Sequence, residues 1–204
     1  MSAVLTAAPF TPTFLNEASI AKFSTERYDR MVGAGIFTPD DDVELLENYV
    51  VLKMPKNPAH DGTALRIRKR LSRALPTGWD IREQGTLALS DSRPEPDFAV
   101  VREDPADYTT RHPTPDDTAL VIEVANASLL RDQRDKARIY ARANVACYWI
   151  INLEERRVEV HTQPSGPGAA PAYASVQNYT PGDAVPLVLD GTTVTSIPVA
   201  DLLP

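Results

Sequence analysis

The chain has 204 residues and a mass of 22.4 kDa, with 43% hydrophobic and 24% charged residues. That is ordinary usage for one globular domain and excludes collagen-like, coiled-coil and wholly disordered chains. Lys and Arg number 21 against 28 Asp and Glu, a net charge of −7; this excludes a histone-like binder held by bulk positive charge, but not an enzyme whose metal ions meet the phosphates.

No apolar run approaches the ~20 residues of a membrane span. The first residues lack the basic and apolar regions of a secretion signal, so none is expected. The lone Cys147 excludes an internal disulfide and a cysteine-rich zinc site. A reducing cytoplasm is the expected location.

Residues 1–20, rich in Ala, Thr and Pro, read as a loosely held arm, and residues 21–204 as a single domain. Ser24 is a candidate N-cap for a short helix through Tyr28, Met31 and Val32, with Gly33 or Gly35 as its stop. VELLENYVVLKM predicts two strands about a turn at Glu47-Asn48, with Glu47 solvated. From Ala59 to Leu75 an apolar stripe (Ala64, Leu65, Ile67, Leu71, Leu75) predicts a helix whose outer face is basic. WDIREQ, TLALS and PDFAVV read as strands, and 103–118 as a Pro-punctuated loop. ALVIEVA reads as a buried strand, Asp132 to Ala143 as a helix, and CYWIINL as a second buried strand. RRVEVHT returns as a hairpin through Glu154-Glu155. PSGPGAAP is a loop, and the remainder reads as short strands and a terminal arm. This order predicts an α/β or α+β domain with one mixed central sheet and few helices.

The chemistry-bearing feature is acid inside apolar strands. Asp97 shares a face with Ala99 and Val101, and Glu123 with Val121 and Ala125. Either acid alone is explained by a buried ion pair or by a strand edge that reaches solvent. Two together cannot neutralise each other and need a cation or a proton. Lys136, three and four residues before Ile139 and Tyr140, points to the side that those residues bury; snorkelling along an apolar stem, or an exposed pair with Asp132, is the plainer alternative. Glu44, on one strand face with Leu46, is a third acid. Glu44, Asp97 and Glu123 together would make a hard-oxygen site for Mg²⁺ or Mn²⁺, and a nearby lysine could orient or deprotonate a water, as phosphodiester hydrolysis requires.

ELLENYVV, EPDFAVV and VIEVANASLLRDQRDKARIYARANVACYWIINL, in that succession, resemble the Uma-type restriction endonuclease family of the PD-(D/E)XK nuclease superfamily. RYDRMVGAGIF, MPKNPAH and RHPTPDD add to the likeness, which runs from about residue 24 to the final DLL. The resemblance implies a restriction-endonuclease-like α/β fold, with a mixed central sheet flanked by helices, and divalent-metal-dependent cleavage of nucleic acid, with DNA as the expected substrate. It assigns Asp97, Glu123 and Glu44 to the motif acids. The superfamily lysine usually lies two residues after the second acid, where this chain has Ala125; the family's lysine lies on the following helix, and Lys136 matches it. Gln84 matches a substrate-side glutamine. Asn126 stands where relatives often carry Asp or Ser, so a metal or phosphate contact there would be weakened. A homodimer is expected by analogy with nucleases of this fold.

Three functions compete. In a metal-dependent nuclease, Arg66, Arg68 and Arg70 could line a phosphate stripe, or they could form a solvated helix face. In a catalytically inactive, partner-binding module on the same fold, the site would be vestigial. A small-phosphate metallohydrolase finds no P-loop and no metal-ligand spacing among His60, His112 and His161, and a Ser-His-Asp hydrolase finds no GxSxG elbow. His60, near the start of the second helix, could help at the site, but a capping or surface role is the expectation; for Cys147 it is a buried core thiol.

Overall fold

A computed structural model describes residues 20–204; the predicted arm, apart from Ile20, lies outside the described residues. Helix α1 (Thr25–Gly33) starts on Ser24, whose side chain accepts from the Arg27 amide, a local N-cap. Strands β1 (Val43–Leu46) and β2 (Tyr49–Leu52) form an antiparallel hairpin. Its turn residues Glu47 and Asn48 both have positive φ (50° and 69°), the backbone of a two-residue turn whose twist suits a hairpin. Helix α2 (Pro58–Ala74) opens with Asn57 as N-cap and a proline in its first turn, where the missing N–H costs nothing.

The central sheet has six strands in the order β3-β4-β5-β6-β7-β8: β3 (Trp79–Glu83), β4 (Phe98–Arg102), β5 (Thr118–Ala125), β6 (Cys147–Asn152), β7 (Arg157–Pro164) and β8 (Tyr173–Tyr179). All neighbours are antiparallel except β5 and β6. That parallel pair needs a crossover. It is supplied by α3 (Leu129–Arg131), a π-helical turn (Asp132–Lys136) and α4 (Ala137–Arg142). A second hairpin, β9 (Ala184–Leu189) and β10 (Thr192–Pro198), follows.

Every residue of β5 and β6 is buried, so alternation gives each strand two apolar faces. On one face Leu120, Ile122 and Trp149 pack with Ile67 and Leu71 of α2 and with Val185, Leu187 and Ile197 of the second hairpin. On the other, Val121, Ala125 and Ile150 pack with Ile139, Tyr140 and Ala141 of α4, with Leu46 of the first hairpin, and with Leu87 and Leu89. Glu123 alternates onto this second face.

Three expectations need correction. TLALS is not a strand: Leu87 and Leu89 are buried, but their amides donate to the carbonyls of Pro94 and Ser92. The facing segment holds Pro94 and Pro96, which have no N–H to return, so no ladder forms. Glu47 is not solvated: Arg138 and Arg142 of α4 both bind its carboxylate (2.5 and 2.8 Å), locking the hairpin turn onto the helix. The end of the chain is not a loose arm, because Leu202 and Leu203 are buried in the α2-side core.

Leu71 is fully buried under α2. Leu71→Ala should cost about 2–5 kcal/mol through the lost contacts and the cavity, read as a lowered urea midpoint with an unchanged m-value.

Candidate active site

The second face of the sheet opens into a cleft of about 320 Å³ at one end of β4 and β5. Glu83 pairs with Phe98, and Phe98 with Ile122, so one step along the register brings Gln84, Asp97 and Glu123 into a row across three strands. Side chains opposite one another on an antiparallel pair project to the same side. The β4–β5 register thus suffices to set Asp97 beside Glu123.

Asp97 is tightly held. Its Oδ2 accepts from the Val124 amide (2.8 Å) and lies 3.0 Å from His60 Nε2. Burial alone would raise its pKa, but these bonds and the His60 charge outweigh burial and lower it. Burial would likewise lower His60, and the Asp97 contact reverses that and raises it. The imidazole is buried because α2 begins beside the cleft, after the Lys53–Asn57 segment. His60 therefore belongs to the site and is more than a capping or surface residue. The signal was its place in MPKNPAH, three residues after the cap; only the tertiary path turns it toward Asp97.

Glu123 accepts from Lys136 Nζ (2.8 Å) and from the Tyr140 hydroxyl (3.0 Å), both on Oε1. Lys136 Nζ also lies 3.6 Å from Glu44 Oε1, and the other Glu44 oxygen accepts from the Glu95 amide (3.2 Å). Lys136 forms neither of the plainer alternatives, a snorkelling side chain or an exposed pair with Asp132; it sits in a buried cluster in which Glu44, Glu123, Asp132 and Lys136 are each under 8% exposed. The π-helical turn spans Asp132–Lys136 and so contains both the lysine and Asp132; such turns often mark functional positions. The Tyr148 hydroxyl donates to the Asp132 carbonyl (3.3 Å) within it.

Four buried acids (Glu44, Asp97, Glu123, Asp132) thus face one lysine and one histidine. Burial pushes the Glu123 carboxyl up against the pull of Lys136. It pushes Asp132 up to about 6. Burial would lower Lys136, but Glu123, Glu44 and Asp132 together hold it firmly protonated.

Gln84 and Asn126 also line the cleft, Gln84 with a positive φ of 52° and its amide on the Asp97 carbonyl. Arg66 and Arg70 do not line it. They project from α2, whose buried side packs on the opposite face of the sheet, and Arg70 pairs with Asp201 (3.0 Å). The cations that do line it, besides Lys136, are Lys53, Lys56 and Arg131. Each lies outside the Arg66–Arg70 stripe of α2.

Residues 25–199 match the Uma2 family, described as "putative restriction endonuclease". The chain belongs to the Uma2 family. Among solved structures, it is similar to a crystal structure of a putative nuclease belonging to DUF820 from Anabaena variabilis ATCC 29413, with a TM-score of 0.67 and 12% identity over 88% of this chain and 97% of that one. At that identity the likeness is one of fold, and it gives this member of Uma2 a nuclease-type mixed sheet. No curated protein matches the chain. Among the described residues no helix is long and apolar enough to cross a membrane.

The raised carboxyls bind protons more tightly in the folded chain than in the unfolded one, so their contribution to stability falls as pH rises between the two pKa values. For Asp132 that window runs from about pH 4 to about pH 6. In chelator, Asp132→Asn should therefore gain stability relative to the parent across this range, as read by urea midpoints; parallel profiles would remove Asp132 from the buried charge cluster.

Proposed function

We propose that this protein is a metal-dependent endonuclease that hydrolyses phosphodiester bonds of DNA, with residues 21–204 acting as one catalytic domain. The observation that carries the reading is the Asp97–Glu123 row, with Lys136 bound to Glu123, at the floor of a single cleft.

The donor set fits Mg²⁺ or Mn²⁺ in one particular way. Among the described residues no three His, Cys, Asp or Glu side chains form a ready-made metal cluster. Mg²⁺ seldom uses such a cage; it takes one or two carboxylates and completes its shell with water and substrate phosphate. Asp97, just before β4, and Glu123, within the neighbouring β5, supply two hard carboxylates. The surplus of buried acid over base leaves negative charge that a divalent ion would neutralise. Asp97 and Glu123 would hold the ion, and Glu44 faces the same cleft from the hairpin. The ion, when bound, would polarise the phosphate and make water a stronger nucleophile.

The chain's own groups divide the remaining work. Lys136, held as a cation, donates hydrogen bonds: it fixes Glu123 and can orient a water or meet charge growing on phosphate oxygen. It is poorly suited to remove a proton. Tyr140 fixes the same carboxylate oxygen from below. His60 and the Val124 amide hold Asp97 by Oδ2, leaving Oδ1 with a 3.9 Å contact to Lys56 Nζ. Gln84 and Asn126 stand where they could contact the sugar-phosphate chain.

A second reading, a catalytically inactive partner-binding module, draws on the same missing cluster and on Lys136, which already answers part of the acid charge. Cleavage separates the two. DNA, offered as single-stranded circles and as supercoiled plasmid, should be cut in Mg²⁺ or Mn²⁺ in at least one of these forms and not in chelator. Asp97→Ala should lower the rate by about 10³-fold and Lys136→Ala by about 10²–10³-fold, with both variants folded by circular dichroism. Cleavage that survives both substitutions would refute the assignment.

A further inference from the structure

The reading above leaves the form of the nucleic acid open. Resting on it, we propose that the cleft takes a single strand of DNA rather than a duplex. Lys56 and Arg131 would contact the phosphates, and Leu52, Met54 and Leu130 would lie against unpaired bases.

The first argument is enclosure. Asp97, Glu123 and Lys136 are 8%, 4% and 7% exposed, so a scissile phosphate must enter the cleft to meet them. The helix wall and the hairpin wall also touch: Arg131, closing α3, donates from Nη1 to the carbonyl of Leu52 at the end of β2 (2.8 Å). A volume of about 320 Å³ bridged in this way suits a strand that can bend its backbone inward. A duplex presents its phosphates on a stiff surface.

The second argument is charge. A duplex carries about one charge per 1.7 Å and a single strand about half that density, while the protein carries −7. Few cations in the cleft are available to phosphate. Lys53 is tied to Glu95 (2.6 Å) and Lys136 to Glu123 (2.8 Å). Lys56 makes only a 3.9 Å contact with Asp97 Oδ1, and the Arg131 bond is to a backbone carbonyl. Two such cations match two or three phosphates of one strand and fall short of a duplex footprint.

The third argument is the apolar rim. Leu52 is 68% exposed, Leu130 64% and Met54 37%. Leu52 and Met54 flank Lys53, Leu130 precedes Arg131, and the Arg131–Leu52 bond draws the two segments together. Met54 lines the cleft, and Leu52 and Leu130 adjoin the lining residues Lys53 and Arg131; exposed apolar side chains beside a groove mark a binding surface. Alternating cation and apolar contacts suit a strand whose base faces are bare; a duplex hides those faces in its stack.

The test is fluorescence anisotropy with the intact protein in Ca²⁺, using a labelled 12-nucleotide strand and a hairpin duplex of the same sequence, with probe integrity checked on a gel. The single strand should bind at least about tenfold more tightly. Arg131→Ala and Lys56→Ala should each weaken it severalfold and flatten the log–log salt slope by about 0.7. Leu130→Ser should weaken it without changing that slope. Equal or tighter binding of the duplex, no binding of either probe, or salt slopes untouched by both cation substitutions would overturn the proposal. Tight, cation-dependent binding of the strand with no cleavage in Mg²⁺ or Mn²⁺ would uphold it and refute the nuclease reading instead.

Discussion

The contact between Lys136 and Glu123, buried on one face of the central sheet, is the constraint around which the rest of the molecule is arranged. Removing one partner of such a pair leaves an uncompensated buried charge and typically costs about 3–5 kcal/mol. The pair is kept because every neighbouring element serves it. The π-helical turn holds the lysine, and Tyr148 meets the turn's Asp132 carbonyl. Tyr140 adds a second donor to Glu123. The first hairpin brings Glu44 to the other side of the ammonium, and Arg138 and Arg142 clamp that hairpin by Glu47. These contacts leave an excess of acid at one end of the sheet, and that excess makes the place chemically useful.

The sheet separates stability from chemistry. On the α2 face, packing is almost wholly apolar and ends with the buried Leu202 and Leu203. The other face carries the acids, and its helix α4 contributes Ile139, Tyr140 and Ala141 to the core while the preceding turn supplies Lys136. Placing Glu123 within β5 and Asp97 immediately before β4 sets their separation by ladder geometry, and sites built on rigid elements hold their geometry better than sites on loops. α2 crosses this division at one point. Its first turn delivers His60 to Asp97, although its body packs on the opposite face.

Much of this was legible because burial leaves a strong mark on strands. ALVIEVA announces an acid that needs a partner, and Lys136 lies on the apolar side of its helix. The hairpin was legible from Glu47-Asn48, where two residues accept positive φ. What escaped was decided by tertiary contacts. Nothing local says that His60 turns inward, that Glu47 meets two arginines, or that Arg66 and Arg70 project from a helix packed on the far side of the sheet. Asp132 and Lys136 do share a helical face, but the spacing alone cannot distinguish an exposed pair from a buried cluster with Glu44 and Glu123. TLALS alternates as a strand should; the prolines opposite it deny the ladder.

The proposed chemistry requires a divalent ion held by Asp97 and Glu123. The most direct measurement is calorimetric titration of the intact protein with Mn²⁺, beside Asp97→Asn and Glu123→Gln, all confirmed as folded. Saturable binding in the parent, lost or strongly weakened in both variants, is the result the account predicts. Absence of saturable binding in the parent, or binding that both substitutions leave unchanged, would contradict it.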